Sequence, residues 1–400
     1  MPQVRTPLGD AGREVKGVSV TWPSDDASRM KLAHRLNTVC PYFTMFPLAF
    51  PLGLLRGARR GQWVLDPFCG RGTTMFAARQ LGLGSVGIDA NPVAVAIARA
   101  KVAAVDPEDV KALAHQTLAA KYEPRDVPAG TFWRYVYHPE TLRELCSLRE
   151  QLLGHKDDPA TDVLRAVALG ILHGPLTKGM PTYLSNQMPR TYATKPDAAV
   201  KFWKARGMRP PRVPVLDAIL RRISYTLALV PPIPVQGQVR QGDARLVLPK
   251  LRRKFDWVVT SPPYFGMYTY VSDQWLRSWF LGGRAAVDYD ASQQISQGGI
   301  DGFTAGLATV WKWTAARCHV GAVMGVRFGA LPSARVDPEQ LLRKSLDQAD
   351  SGWKICEVRD AGMPKNQARQ AAQFKRAGEY APEIDCIAIL SEPRSRPLGR

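Results

Sequence analysis

The chain is short of acid. Its 400 residues carry 35 Asp and Glu against 54 Lys and Arg, a formal net charge of +19. Such an imbalance points to a polyanionic partner, most simply nucleic acid, whose phosphates exchange condensed counterions for Lys and Arg. Cysteine is sparse as well: Cys40, Cys69, Cys146, Cys318, Cys356 and Cys386 are scattered without a CxxC pair. That argues against a disulfide framework or a zinc site, and no metal is expected. No apolar run reaches the roughly 18 residues that a spanning helix needs, so no membrane partner is expected. The opening MPQVRTPLGDAGREV lacks the apolar core of a secretory signal, and the expected location is the cytoplasm, in association with the nucleoid. No internal repeat is present. At 45% hydrophobic and 22% charged, what remains is ordinary globular material, long enough for one large domain with an insertion or for two modest domains.

Strand and helix signals alternate in two separate stretches. Residues 1–24 show no periodicity and read as a loose arm, and 25–39 reads as a helix. In 62–105, QWVLD and SVGID read as strands, with MFAARQLG and NPVAVAIARAKVAAV as helices. That alternation indicates a parallel sheet. Residues 107–230 then read mostly as helices with proline-rich breaks, including 139–154, 160–173 and 214–229. Strand signals return at 238–243, 255–261, 322–328, 353–362 and 384–390. The expected architecture is α/β, a Rossmann-like sheet in two pieces. Residues 25–106 form the cofactor half, 107–234 a mostly helical insertion, and 235–400 the second half.

The chemistry begins at LDPFCGRGTTMFAARQLG, a strand-to-helix junction. Gly70 and Gly72 let the backbone approach a ligand, and Thr73 and Thr74 can cap the following helix. The turn is neither GxGxxG nor a Walker loop, since no GK[ST] follows. Asp66 at the strand end repels phosphate and suits a cationic or hydroxyl-bearing ligand. The second strand ends in Asp89, followed by Asn91, at the distance from a glycine turn where an acid grips ribose hydroxyls. These features point to a nucleoside with an ammonium group and no phosphate, which S-adenosylmethionine satisfies. Helix capping is the alternative for both aspartates. Asp243 in QGDAR is either an acceptor for an adenine amino group or a turn aspartate.

The second signal is DWVVTSPPYFGMYTY, in which an apolar strand runs into two consecutive prolines. Neither proline can donate to a sheet ladder, and each holds its predecessor extended. The result is a stiff tip carrying the Ser261 hydroxyl and the Tyr264 ring, at the strand end where open α/β sheets bind ligands.

Together these segments resemble the amino-methyltransferases of DNA, which methylate N4 of cytosine or N6 of adenine. DPFCGRGTT (66–74), with Pro67 and Phe68, resembles that family's cofactor motif, and TSPPY (260–264) its catalytic motif. PYFTMFP (41–47), with Tyr42, Phe43 and Thr44, resembles the segment that covers the methionine end of the cofactor. The order of cofactor motif, long insertion and catalytic motif resembles the family's α arrangement, although QGDAR falls after the insertion. The resemblance implies S-adenosylmethionine as cofactor and Ser261, Pro262, Pro263 and Tyr264 as the catalytic tip. Ser261 and the Pro262 carbonyl would accept the amino hydrogens while Tyr264 stacks on a flipped base. In the family, serine at the first motif position leans toward cytosine N4; adenine N6 is the alternative. The C5-cytosine enzymes use a Pro-Cys nucleophile that this chain lacks, and Cys69 reads as a packing residue.

The insertion segment 177–212 carries Lys178, Arg190, Lys195, Lys201, Lys204, Arg206, Arg209 and Arg212 against the single acid Asp197, with Tyr183, Asn186, Gln187, Tyr192 and Trp203 interleaved. It reads as a contact surface for double-stranded DNA, with Asn186 among the contacting residues; a solvated basic loop is the alternative. An RNA amino-methyltransferase and a non-catalytic DNA-binding subunit remain as rival readings of the chain. A separate restriction endonuclease is a conceivable partner, and either a monomer or a homodimer is expected.

Overall fold

Long apolar runs such as VVT and WVL become strands buried on both faces, because a parallel sheet covered by helices leaves no wet side. The computed structural model describes residues 14–15, 18–19, 35–42, 46–119, 122–175, 182–188, 195–228, 236–265, 272–287, 299–330, 334, 336–361 and 383–392. Most of the helix expected over 25–39 lies outside them, and its end is a short 3-10 turn, Arg35–Thr38.

Two short strands, β1 (Glu14–Val15) and β2 (Val18–Ser19), pair with each other. The main sheet has seven strands: β3 (Trp63–Asp66), β4 (Gly84–Asp89), β5 (Gly237–Gln241), β6 (Phe255–Thr260), β7 (Cys318–Gly329), β8 (Trp353–Asp360) and β9 (Glu383–Leu390). Their order is β5-β4-β3-β6-β7-β9-β8. The first five run parallel, and β9 is antiparallel to both its neighbours. Strand order therefore reverses between β3 and β6, which are paired through Val64 with Trp257 and Leu65 with Val258. Ligands bind in open α/β sheets at such a reversal.

Helices cover both faces. α1 (Ala49–Leu55) and α2 (Thr73–Gln80) pack on one side against Val64, Trp257 and Val323. α12 (Ile300–Ala316) and α13 (Pro338–Ala349) cover the other through Phe303, Trp311 and Leu342.

Between the two halves lie α4 (Pro107–Ala119), α5 (Thr131–Val136), α6 (Pro139–Gly154), α7 (Pro159–Ile171), α8 (Pro196–Ala205) and α9 (Val215–Leu227). Four of them begin on proline, whose missing N–H is no loss at a first helical position. The prolines that break the sequence pattern thus start helices. These helices do not form a separate core. Ala94 and Ile97 of α3 (Pro92–Val102), in the cofactor half, join one apolar cluster with Val163, Val167, Ile219 and Ile223 of the insertion. Trp275 and Trp279 of α11 (Trp275–Phe280), beyond β6, belong to the same cluster.

Residues 36–40 thread through that junction. Arg71 donates to the carbonyls of Asn37 and Cys40, Arg222 to those of Thr38 and Val39, and Lys101 Nζ to Asn37 Oδ1 at 2.8 Å. Cations suit the carbonyl end of a helical turn, and here they lock the segment that leads to Tyr42.

Candidate active site

β3 delivers Asp66 to the sheet reversal with its side chain fully buried. Oδ1 accepts from the Phe68 N–H at 3.1 Å and from Thr260 Oγ1 at 2.6 Å, while Oδ2 is buried without a partner. Burial pushes this carboxyl up to about 7, against the Thr260 hydrogen bond that pulls it down. Thr74 Oγ1 donates to the Val259 carbonyl at 3.1 Å. Two hydroxyls thus tie the glycine-rich turn to β6 and the SPPY tip that follows it.

The expected capping of α2 by Thr73 and Thr74 is corrected. The cap position is Gly72, left-handed at φ 77° and without a side-chain bond. A Cβ there would sit 2.8 Å from the Ala98 Cβ on α3, so only glycine allows the turn to close on that helix. Thr73 and Thr74 are buried, the latter bonded across to β6. Pro67 is buried, and Phe68 meets Trp311 edge to face at 6.2 Å. Cys69 is buried below Gly87, where a Cβ would come within 2.9 Å of its own, and burial first of all pushes its thiol well up. It packs and is not a poised nucleophile.

β4 brings Asp89 beside the turn. One carboxylate oxygen accepts from the Gly70 N–H and the other from the Asn91 N–H, each at 2.8 Å. Burial raises this acid to about 6. Asn91 caps α3 through the Val93 N–H at 2.9 Å, and its amide donates to the Tyr42 hydroxyl at 3.1 Å. Phe43 and Thr44 lie outside the described residues. Asp243 is adjacent, since the Gly242 N–H donates to the Asp89 carbonyl at 2.9 Å. Its carboxylate caps α10 (Ala244–Val247) and grips the Arg245 guanidinium with both oxygens. The turn-aspartate alternative describes it, and the acceptor expected for an adenine amino group is engaged by Arg245.

β6 ends at Thr260 and the SPPY tip follows without regular structure. Pro262 is buried; Ser261, Pro263 and Tyr264 are half-buried. The Tyr264 hydroxyl donates to Glu383 Oε1 at 2.8 Å, and its ring meets Phe328 edge to face at 6.4 Å. Phe265 bridges to Ala330. Thr260 and Glu383 were not singled out in the sequence. Thr260 lies inside the quoted motif, but Glu383 is 119 positions from Tyr264 with no local signal joining them.

The insertion divides. Lys195, Lys201, Lys204 and Arg206 are exposed, and Lys204 and Arg206 lie over the Tyr135 and Phe202 rings at 5.7 and 4.0 Å. Lys195 is close enough to Asp273 to oppose the rise that burial causes in that carboxyl. Lys178 and Arg190 fall outside the described residues. Asn186 is corrected: it is 2% exposed, its amide donates to the Tyr135 carbonyl at 3.2 Å, and its N–H donates to the Val136 carbonyl. Trp203 is buried too, donating to the Gln187 carbonyl at 3.0 Å. Among the described residues no group of three or more His, Cys, Asp or Glu is placed to hold a metal, and no helix is long and apolar enough to cross a membrane.

Residues 12–100 match the family model for DNA methylases of the N6 and N4 type. The match includes the 66–74 turn and Asp89 and supports the DNA amino-methyltransferase family. Among solved structures the chain is similar to TrmN from Thermus thermophilus, at 12% identity and TM-score 0.36, covering 90% of this chain and 53% of that one, about half its length. It is similar to the rRNA methyltransferase aviRa from Streptomyces viridochromogenes, at 13% identity and TM-score 0.35, covering 91% and 92%. An S-adenosylmethionine-dependent methyltransferase from Clostridium acetobutylicum matches at 7% identity and TM-score 0.30, covering 82% and 84%. At these values none of the three speaks to activity. The comparison with curated proteins finds no match.

Proposed function

We propose that the chain is a DNA amino-methyltransferase that methylates the exocyclic N4 amine of cytosine in double-stranded DNA, with S-adenosylmethionine as methyl donor. The observation that carries this reading is the joint at the sheet reversal. Thr260 Oγ1 reaches Asp66 at 2.6 Å, so the acid of the cofactor turn and the base of the SPPY tip share one crevice.

The residues present fit the cofactor. The unpartnered Asp66 Oδ2 calls for a donor and a positive charge, which the ammonium of an amino-acid end provides. Each Asp89 oxygen accepts one loop N–H and keeps a second lone pair for a ribose hydroxyl. At Gly70 a Cβ would meet nothing within 4 Å, which leaves open space beside the turn. Bound there, S-adenosylmethionine supplies an electrophilic methyl group on a sulfonium.

An exocyclic amine is a poor nucleophile because its lone pair is delocalised into the ring. The Ser261 hydroxyl and the Pro262 carbonyl accept its hydrogens and draw the nitrogen toward sp³, which frees the pair. Pro262 and Pro263 hold these acceptors stiffly, so the chain contributes chiefly by positioning. Extruding a base costs a few kcal/mol. Stacking on Tyr264, worth ~1–3 kcal/mol, offsets part of that. Serine at position 261 favours the pyrimidine over adenine. The exposed Lys195, Lys201, Lys204 and Arg206 contact phosphates of the duplex. A separate restriction endonuclease is a compatible partner, and the chain acts as a monomer or homodimer.

The test is to incubate the protein with labelled S-adenosylmethionine and unmethylated plasmid, digest to nucleosides and identify the product by mass spectrometry. 4-Methylcytosine is the expected product. 6-Methyladenine would keep the chemistry and reverse the base, and label entering only RNA would overturn the reading.

A further inference from the structure

We propose that Glu383 is a positioning residue of the catalytic tip, holding the Tyr264 ring in one orientation at the wall of the crevice. The inference rests on the proposed function, and it adds a residue that neither motif contains.

The antiparallel pairing of β7 with β9 sets Glu383 opposite Gly329 and Asp385 opposite Arg327. Over Gly329 the chain leaves room for a ring and nothing more. A Cβ there would come within 2.9 Å of Tyr264 Cε2, 3.1 Å of its Cζ and 3.3 Å of Glu383 Cγ. The Tyr264 ring therefore lies against the Gly329 backbone, meets Phe328 edge to face, and ends with its hydroxyl on Glu383 Oε1 at 2.8 Å.

The charged groups facing Glu383 are Arg327 and Asp385. Arg327 is gripped by both Asp385 oxygens, at 2.7 and 2.6 Å, with the two side chains 6% and 5% exposed. Its guanidinium is matched by that partner, so Glu383 is left to the tyrosine. Burial raises the Glu383 carboxyl above the usual range, with the Tyr264 bond and Arg327 pulling it back. A neutral glutamic acid still has a carbonyl oxygen to accept from Tyr264, so the bond itself does not require the charge.

A tyrosine in the wall of a base pocket is useful when its ring is already where the base will stack. Ordering it only on binding would draw on the interaction energy, and a small misplacement near the reacting atoms is costly. Glu383 and the bare Gly329 backbone together do that ordering in advance. Glu383 acts on the base only through Tyr264.

The test is a double-mutant cycle in the full chain. Glu383→Ala and Tyr264→Phe are each expected to lower kcat on the order of ten-fold, with S-adenosylmethionine affinity unchanged. The double variant should be no worse than either single one, because groups acting through one bond do not add. Glu383→Gln keeps an acceptor and should hold kcat within about two-fold. Gly329→Ala pushes the ring aside and should reproduce the loss while leaving both partners in place.

Wild-type kcat in Glu383→Ala, or losses that multiply in the double variant, would overturn the proposal. The same cycle read in thermal unfolding reports the Tyr264–Glu383 bond independently of activity. Coupling there with an inactive wild type would defeat the function reading and leave the pair standing. Absence of coupling would overturn the pair itself. If Glu383→Ala does not fold, the Glu383→Gln and Gly329→Ala variants carry the same comparison.

Discussion

The crevice and the helical insertion both drew attention in the sequence, and they meet the structure differently. In the crevice each singled-out side chain stands at a strand end or in a turn whose backbone is restricted by proline or glycine. Asp66, Asp89 and the Ser261–Tyr264 tip accordingly converge at one sheet reversal. In the insertion the residues were grouped by composition. The structure sorts them by burial, with Lys201 and Lys204 outward on α8, Trp203 buried on the same helix and Asn186 buried in the irregular segment before it. A motif tied to backbone geometry places its members; a count of basic and amide side chains does not say which way they point.

The largest test of the contrast is at the tip. Ser261→Ala should lower turnover by roughly 100-fold, the scale of losing one polar group that acts at the transition state. Cofactor affinity in a direct titration should stay near wild type. If affinity collapses too, the crevice is not divided between a cofactor side and a base side.

Asp89→Ala is the converse. It should weaken S-adenosylmethionine ~10–100-fold by calorimetry, the scale of removing hydrogen bonds to a charged group, before DNA affinity changes. Unchanged cofactor affinity would remove Asp89 from the site.

A pH series sharpens the role of Asp66. Its native carboxyl is raised to about 7, so over the slightly acidic range it still holds a proton that an ordinary aspartate has given up. Only the ionised form offers charge to an ammonium. Cofactor affinity should therefore climb as pH rises through about 7 and then level off. The sign for stability is opposite. The folded chain binds more protons than the unfolded one across that window, so this group makes the cofactor-free protein less stable as pH rises. Asp66→Asn should flatten both curves.

The smallest effects belong to the insertion. Replacing Lys201 and Lys204 by Gln should weaken duplex binding a few-fold and reduce the salt slope by roughly 1 for each phosphate that is no longer neutralised. Asn186→Ala should instead lower the melting temperature by a few degrees, the size of one buried hydrogen bond, and leave the salt slope alone. A slope change in Asn186→Ala with none in the lysine variant would reverse the contrast.

The strands were legible because apolar runs and their Gly and Pro boundaries act on the chain locally. Predicted strands at 255–261, 322–328 and 384–390 appear as Phe255–Thr260, Cys318–Gly329 and Glu383–Leu390. Helix α6 was legible from Pro139 to Gly154, whereas α4 and α8, which also open on proline, fell within stretches read only as mostly helical. The capping role given to Thr73 and Thr74 failed because Gly72 closes the turn against α3, a meeting of elements distant in sequence. Asn186 was misread for the same reason: it is buried with its amide on the Tyr135 carbonyl, 51 positions away, and its N–H on the Val136 carbonyl of α5.

The amino-acid order alone was enough for the alternation of strand and helix, the place of the two motifs at strand ends and the positive charge, since each is written in neighbouring residues. Folding in three dimensions set the rest. It joined Asp66 to Thr260 across 194 positions and Tyr264 to Glu383 across 119, and it chose which insertion side chains meet solvent. Such pairings arise from strand order and helix packing, for which no local pattern of residues stands in.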